Sequence, residues 1–163
     1  MDAWIKLSPM ESKIIWRKFK KKFQFKPSVH KVDWPGFKEP FYSITYDISS
    51  IFGNFNRKNL VIDLQKKALK AFQTITKPGD MIYALDWQHS CYKFDPRLSN
   101  ENDDWKISAL PDGDYYIFMT EDLKNGFFGH PWEHTVCILG EMFVKKLKQH
   151  FPLIFSKVLR KNV

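Results

Sequence analysis

Apolar and polar positions follow two different periods along this chain. Near the N-terminus Ile15, Phe19 and Phe23 recur four apart with Trp16 beside them, while Lys18, Lys20, Lys21 and Lys22 fill the remaining positions. That spacing marks one face of an amphipathic helix. Ser8-Pro9-Met10-Glu11 supplies its start: Ser8 can cap, Pro9 suits the first helical position and Glu11 completes a capping box. The helix is predicted to end near Phe23, and Pro27, Pro35-Gly36 and Pro40 make the next stretch extended. A second apolar stripe, Leu60, Leu64, Ala68, Ala71, Phe72 and Ile75, predicts a helix capped near Asn59 and closed by Lys77-Pro78-Gly79-Asp80. A third helix is predicted over 140–150, broken by Pro152, with a last helical turn or two over 153–159.

Between these helices the period shortens to two. Phe41 to Ile48 alternates and is rich in aromatic and β-branched residues, which predicts a strand. Further strands are predicted at 81–86, 91–94, 105–109, 115–120 and 135–139, with turns at 100–104 and at Pro111-Asp112-Gly113-Asp114 and a loop running through Gly126. Hairpin-linked strands with helices at the start, middle and end imply an α+β fold. A mainly antiparallel sheet is expected, with the three helices packed on it, as a single domain over 1–163.

Composition adjusts this picture little. A chain of 163 residues with 44% hydrophobic residues and 15 Phe has enough apolar surface for a real core. Its apolar runs are short, and a spanning helix needs roughly twenty such residues, so no membrane span is expected. Met1-Asp-Ala-Trp-Ile-Lys6 lacks the order of an export signal. Cys91 and Cys137 are read as two buried thiols, and a cytoplasmic location is expected. The net charge of +8 is uneven: residues 1–38 carry +7, 39–140 carry −4 and 141–163 carry +5. Anion binding by basic terminal helices is therefore one functional reading. The acidic middle and the lack of any nucleic-acid module oppose nucleic acid as the partner.

Two segments have compositions that no helix or strand interior requires. Leu85-Asp-Trp-Gln-His-Ser-Cys-Tyr92 is one, and Asn125-Gly-Phe-Phe-Gly-His-Pro-Trp-Glu-His134 is the other. His130 to His134 satisfies the H-x-x-E-H pattern of inverted zinc proteases, which requires a helix to stack both imidazoles. Pro131 and the β-rich Thr135 to Leu139 oppose such a helix, and in a strand the two imidazoles would lie about 13 Å apart, so the match is read as coincidence. A tertiary cluster is the stronger expectation. Asp86 and His89 end one strand, Asp112 and Asp114 precede another, and His130 and Glu133 lead into the last. If these ends converge, His89 or His130 could act as a base with Asp86 or Glu133 as partner, or the group could hold a metal. Trp87, Trp132, Gln88 and Asp114 would then line a polar, aromatic-walled pocket. Each residue also has a plainer reading: Asp86 as a turn cap, Trp87 and Trp132 as core, and the glycines as backbone kinks. Cys91, two residues from His89, is read as a buried thiol and not as a nucleophile.

Several motifs together resemble a known family. They are Ile44-Thr-Tyr-Asp-Ile-Ser49, Leu85-Asp-Trp-Gln-His89, Tyr92-x-Phe94-x-Pro96, Pro111-Asp-Gly-Asp-Tyr-Tyr-Ile-Phe118 and Gly129-His-Pro-Trp-Glu133, behind a leading Trp-bearing helix. The chain is similar to the bacterial family catalogued as domain of unknown function 2716, over nearly its whole length. That resemblance implies a small bacterial protein and carries no activity, cofactor or metal. The first functional expectation is thus a binding or interaction domain with a protein or small-molecule partner. The alternative is a hydrolase-like or metal-dependent enzyme built on a His/carboxylate site. No cofactor is implied, and no residue is assigned to a metal.

Overall fold

The computed structural model describes residues 2–163. They form α-helices α1 (Pro9–Phe23), α2 (Arg57–Ile75) and α3 (Glu141–Gln149). The strands are β1 (Trp4–Lys6), β2 (Ser43–Asp47), β3 (Ile82–Asp86), β4 (Tyr92–Phe94), β5 (Tyr116–Thr120), β6 (Gly126–His130), β7 (Thr135–Leu139) and β8 (Lys157–Asn162). All eight join one sheet in the order β1-β4-β3-β5-β6-β7-β2-β8, and every neighbouring pair is antiparallel. The α+β fold with a mainly antiparallel sheet and helices packed on it is therefore as expected from the sequence.

Both faces of the sheet are covered. On one, Ile44, Ile82, Ala84, Phe118, Phe127, Val136 and Ile138 pack against Leu64, Ala68 and Phe72 of α2 and Phe143, Val144 and Leu147 of α3. On the other, Leu85, Ile117, Met119, Phe128, Cys137 and Leu139 pack against Ile15, Phe19 and Phe23 of α1, with Phe25 and Phe37 from the segment after it. Successive residues of a strand point to opposite faces, so each central strand feeds both cores. The α1 capping box forms as predicted, with Glu11 N–H bonded to Ser8 Oγ (3.1 Å) and Ser8 N–H to the Glu11 carboxylate (2.7 Å).

Four segments differ from their predicted form. β6 is a strand where a loop and kink were expected: Gly126-Phe-Phe-Gly-His lacks polar alternation because neither face meets water. Gly126 has φ +151°, and a Cβ there would stand 1.9 Å from the Phe118 carbonyl oxygen, so only glycine lets β6 approach β5 at that point. Residues 105–109 form no strand. They lie as a cover on the α2 side, with Ala109 N–H bonded to the Gln65 side chain. Residues 157–162 form edge strand β8 beside β2 and not a helical turn, so the basic C-terminal residues Lys157, Arg160 and Lys161 lie on a strand. β1 was not foreseen, being only three residues paired with β4. Cys91 and Cys137 are buried and free, and no helix of the described residues is long and apolar enough to cross a membrane.

Candidate functional site

β3 ends at Asp86, and the chain turns through Trp87, Gln88 and His89. Trp87 N–H bonds to the Tyr115 carbonyl (3.1 Å), which extends the β3–β5 ladder by one step. Gln88 takes a left-handed conformation at φ +72° and is exposed at the tip. Trp87 turns inward, with its ring edge-on to Trp16 (5.1 Å) and Phe25 (5.5 Å) and the Lys20 ammonium 4.6 Å above it. It is a wall between α1 and the sheet.

His89 is thereby delivered to two carboxylates from different segments. Its Nδ1 lies 2.9 Å from Asp86 Oδ1 and 3.8 Å from Asp114 Oδ2. Asp114, just ahead of β5, is held from behind: its Oδ1 accepts the Tyr115 N–H at 2.8 Å. Burial pushes the carboxyls of Asp86 and Asp114 above the usual range. For Asp86 the hydrogen bond from His89 opposes this, and the charge of Asp114 adds to it. The bond to Asp86 raises the pKa of His89. Tyr116, opposite Asp86 in the ladder, is pushed up to about 12, by burial first and then by Asp86, Asp112 and Asp114. Asp112 itself pairs with Arg57 at 3.0 Å. Cys91, behind this turn, directs its Sγ at the Asp86 and His89 carbonyls, and burial raises its pKa, so it stays a thiol.

The other predicted residues form a second cluster. β6 ends at His130, and Pro131 to His134 make the four-residue loop of the β6–β7 hairpin. A hairpin cannot stack the two imidazoles as the zinc-protease pattern requires. His134 instead stacks on Phe52 at 4.2 Å. His130 is fully buried. Its Nδ1 accepts the Glu133 N–H at 3.0 Å, and its Nε2 has no hydrogen-bond partner among the described residues. Burial drives its pKa down to about 4, against the pull of Glu133. Trp34 (5.3 Å), Tyr115 (4.9 Å) and Trp132 (6.3 Å) pack edge-on around the imidazole.

The Glu133 carboxylate points elsewhere. Arg160 of β8 grips it with two nitrogens, at 2.6 and 3.0 Å, and Thr135 donates to it at 2.8 Å. Burial alone would raise the pKa of Glu133, but the Arg160 and Thr135 hydrogen bonds hold it below the ordinary range. Arg160 also binds Glu39, which takes the Thr45 hydroxyl. Arg160 and Glu39 carried no signal in the sequence: Arg160 lies 121 residues from Glu39 and 27 from Glu133.

The two clusters occupy the same end of the sheet, because Asp86 pairs with Tyr116, Tyr116 with Gly129 and Gly129 with Val136. They do not merge into the single pocket that convergence would have made. Asp86 shares its face with Tyr116 and Val136 on the α2 side, whereas His130, one residue beyond Gly129, falls on the α1 side with Phe128. Tyr115 stands between them. Its backbone serves Trp87 and Asp114, its ring meets His130 and Trp132, and its hydroxyl bonds to the backbone of Ser28. The structure thus brings Asp86, His89 and Asp114 together and leaves His130, Trp132 and Glu133 in a bracing network. A cleft of about 840 Å³ lies among Lys26, Pro27, Ser28, Asp33, Pro35 and Lys38, next to the Ser28 backbone that the Tyr115 hydroxyl holds. A cleft of about 430 Å³ opens beside Asp112, between Arg57, Val61, Ile62 and Leu110.

Comparison with known proteins agrees with the motif resemblance. The profile of a family described as "Protein of unknown function (DUF2716)" matches residues 6–144. The chain is also similar to "Uncharacterized protein YxiI" of Bacillus subtilis (strain 168), at 32% identity over 162 residues, covering 95% of this chain and 98% of that protein. No solved structure matches. The chain belongs to the DUF2716 family.

Proposed function

We propose that this protein is a binding domain whose site is the acidic rim at Asp86, His89 and Asp114, and that it receives a positively charged group. One observation carries the reading. Two largely buried carboxylates from separate segments face one imidazole, and among the described residues no Lys or Arg pairs with either of them. In a chain with 26 Lys and Arg, cations were plentiful, and Asp112 nearby does take Arg57. Carboxylates whose pKa is raised by burial cost stability at neutral pH, a cost characteristic of sites kept for a ligand. The free, buried thiols of Cys91 and Cys137 suit a reducing compartment, in keeping with a cytoplasmic protein.

The test uses a guanidinium probe, arginine methyl ester, followed in ¹H–¹⁵N spectra. Shifts confined to residues 86–89 and 112–116, lost in Asp86→Asn and Asp114→Asn, are the expected result. Shifts elsewhere, or unchanged shifts in both variants, would sink the reading.

A second reading rests on His89 alone. Its Nδ1 is anchored by Asp86 while 66% of its side chain is exposed, so its Nε2 is free to exchange protons with a bound molecule, as a general base does. An enzyme of this kind would lose turnover but keep ligand binding in His89→Gln.

A further inference from the structure

We infer that Asp86, His89 and Asp114 form a binding site for a divalent transition-metal ion of the Zn²⁺ or Mn²⁺ class, an inference that rests on reading the acidic rim as a cation site. One donor atom from each residue can be chosen so that all three lie within 4.8 Å of one another. His89 Nδ1 is the common corner, 2.9 Å from Asp86 Oδ1 and 3.8 Å from Asp114 Oδ2. Ligands about 2.1 Å from one ion lie about 3.0–3.4 Å apart in octahedral or tetrahedral arrangements. The two separations from His89 bracket that spacing, and His89, on an exposed turn, is free to make the adjustment.

A second observation points the same way. The Asp114 side chain is 11% exposed, and among the described residues its Oδ2 accepts no hydrogen bond although it faces His89 at 3.8 Å. Its other oxygen is fixed by the Tyr115 N–H, the kind of outer contact that orients a metal-binding carboxylate. Asp86 ends β3 opposite Tyr116, and Asp114, just ahead of β5, is fixed by the Tyr115 N–H, so both carboxylates are positioned before any ion arrives. Their two negative charges match a divalent ion.

The donor set selects the ion. One imidazole nitrogen with two carboxylates suits borderline first-row metals, while Ca²⁺ takes six to eight oxygens and Mg²⁺ prefers oxygen and water. Three protein ligands leave at least one coordination position for water or a ligand group. In the ion's absence the Nδ1–H···Oδ1 bond occupies its place, so binding moves the ring proton from Nδ1 to Nε2.

Calorimetric titration of the chelator-treated full chain with Zn²⁺, Mn²⁺ and Mg²⁺, each alone, tests the inference. One equivalent of Zn²⁺ or Mn²⁺ should bind, with Mg²⁺ at least about tenfold weaker and a loss of about tenfold or more in Asp114→Asn and His89→Ala. His89→Ala alters an exposed turn residue, so its fold is expected to survive, as a circular-dichroism melt would show. Absence of saturable binding overturns the inference, as does Zn²⁺ binding undiminished in both variants, which would place the ion at another histidine. If no metal binds but the guanidinium probe still shifts the rim, the metal inference alone fails. If neither binds, the cation-site reading falls with it.

Discussion

His130 and Glu133 are joined through the backbone and not through the carboxylate: the Glu133 N–H donates to His130 Nδ1 at 3.0 Å, and the acid group turns away to Arg160. Nδ1 is thus the acceptor, and the proton of the neutral ring sits on Nε2. His130 is a brace of the hairpin, held neutral.

Stability should therefore depend on pH through His130. Its folded pKa, about 4, lies below the ordinary 6.5. The unfolded chain takes up this proton first as pH falls, so the stabilisation is complete above about pH 6.5 and is lost as pH drops towards 4. The loss is at most about 3–4 kcal/mol, because each tenfold difference in proton affinity between the folded and unfolded chain is worth roughly 1.4 kcal/mol. Urea unfolding of the wild type and His130→Asn between these limits should show a steeper pH slope in the wild type. Parallel slopes would mean that the ring is accessible.

Removing Arg160 should be costly. The Glu39 and Glu133 side chains are 13% and 12% exposed, and Arg160→Met would leave both charges without their partner. A loss of about 2–4 kcal/mol in chemical denaturation is expected. Arg160→Lys should recover little of it, because an ammonium cannot span both carboxylates as the guanidinium fork does.

Neutralising the rim should act in the opposite direction. Asp86 and Asp114 have folded pKa values raised by burial. Their contribution is fully present below the unfolded pKa and is lost as pH rises through the folded values. Asp114→Asn keeps an oxygen for the Tyr115 N–H, so its stability at pH 7 should equal or exceed that of the wild type by up to about 1 kcal/mol. Near pH 3 the advantage should vanish. A clear drop in melting temperature at pH 7 would identify Asp114 as a brace.

Tyr115→Phe should loosen the segment after α1. The hydroxyl accepts the Ser28 N–H at 3.0 Å and donates to the Ser28 carbonyl at 3.1 Å. Its loss should cost about 1–2 kcal/mol and raise amide exchange around Ser28 while α2 stays protected. Unchanged exchange at Ser28 would show that the segment is held by Trp34 and Phe37 alone.

Much of the architecture was legible in the residue order. The stripes Ile15–Phe19–Phe23 and Leu64–Ala68–Phe72 marked the helices, Ser8 and Glu11 marked a boundary, and β2, β3, β4, β5 and β7 followed from alternation or β-rich runs. β6 was missed because burial on both faces erased its alternation, and β8 because an edge strand exposed to water needs no apolar pattern. At the site, the sequence marked Asp86, His89, Asp114 and His130 as unusual without saying which of them meet.

What the sequence alone determined is what neighbours in the chain decide: a period of two or of nearly four, a capped helix start, a turn at Pro111-Asp-Gly-Asp114. The tertiary structure decided the partnerships. A shift of one residue along β6 sends His130 to the α1 face while Asp86, at the same height in the sheet, faces the α2 side. Register between strands is set by packing across the whole sheet, and no local pattern around either histidine encodes it.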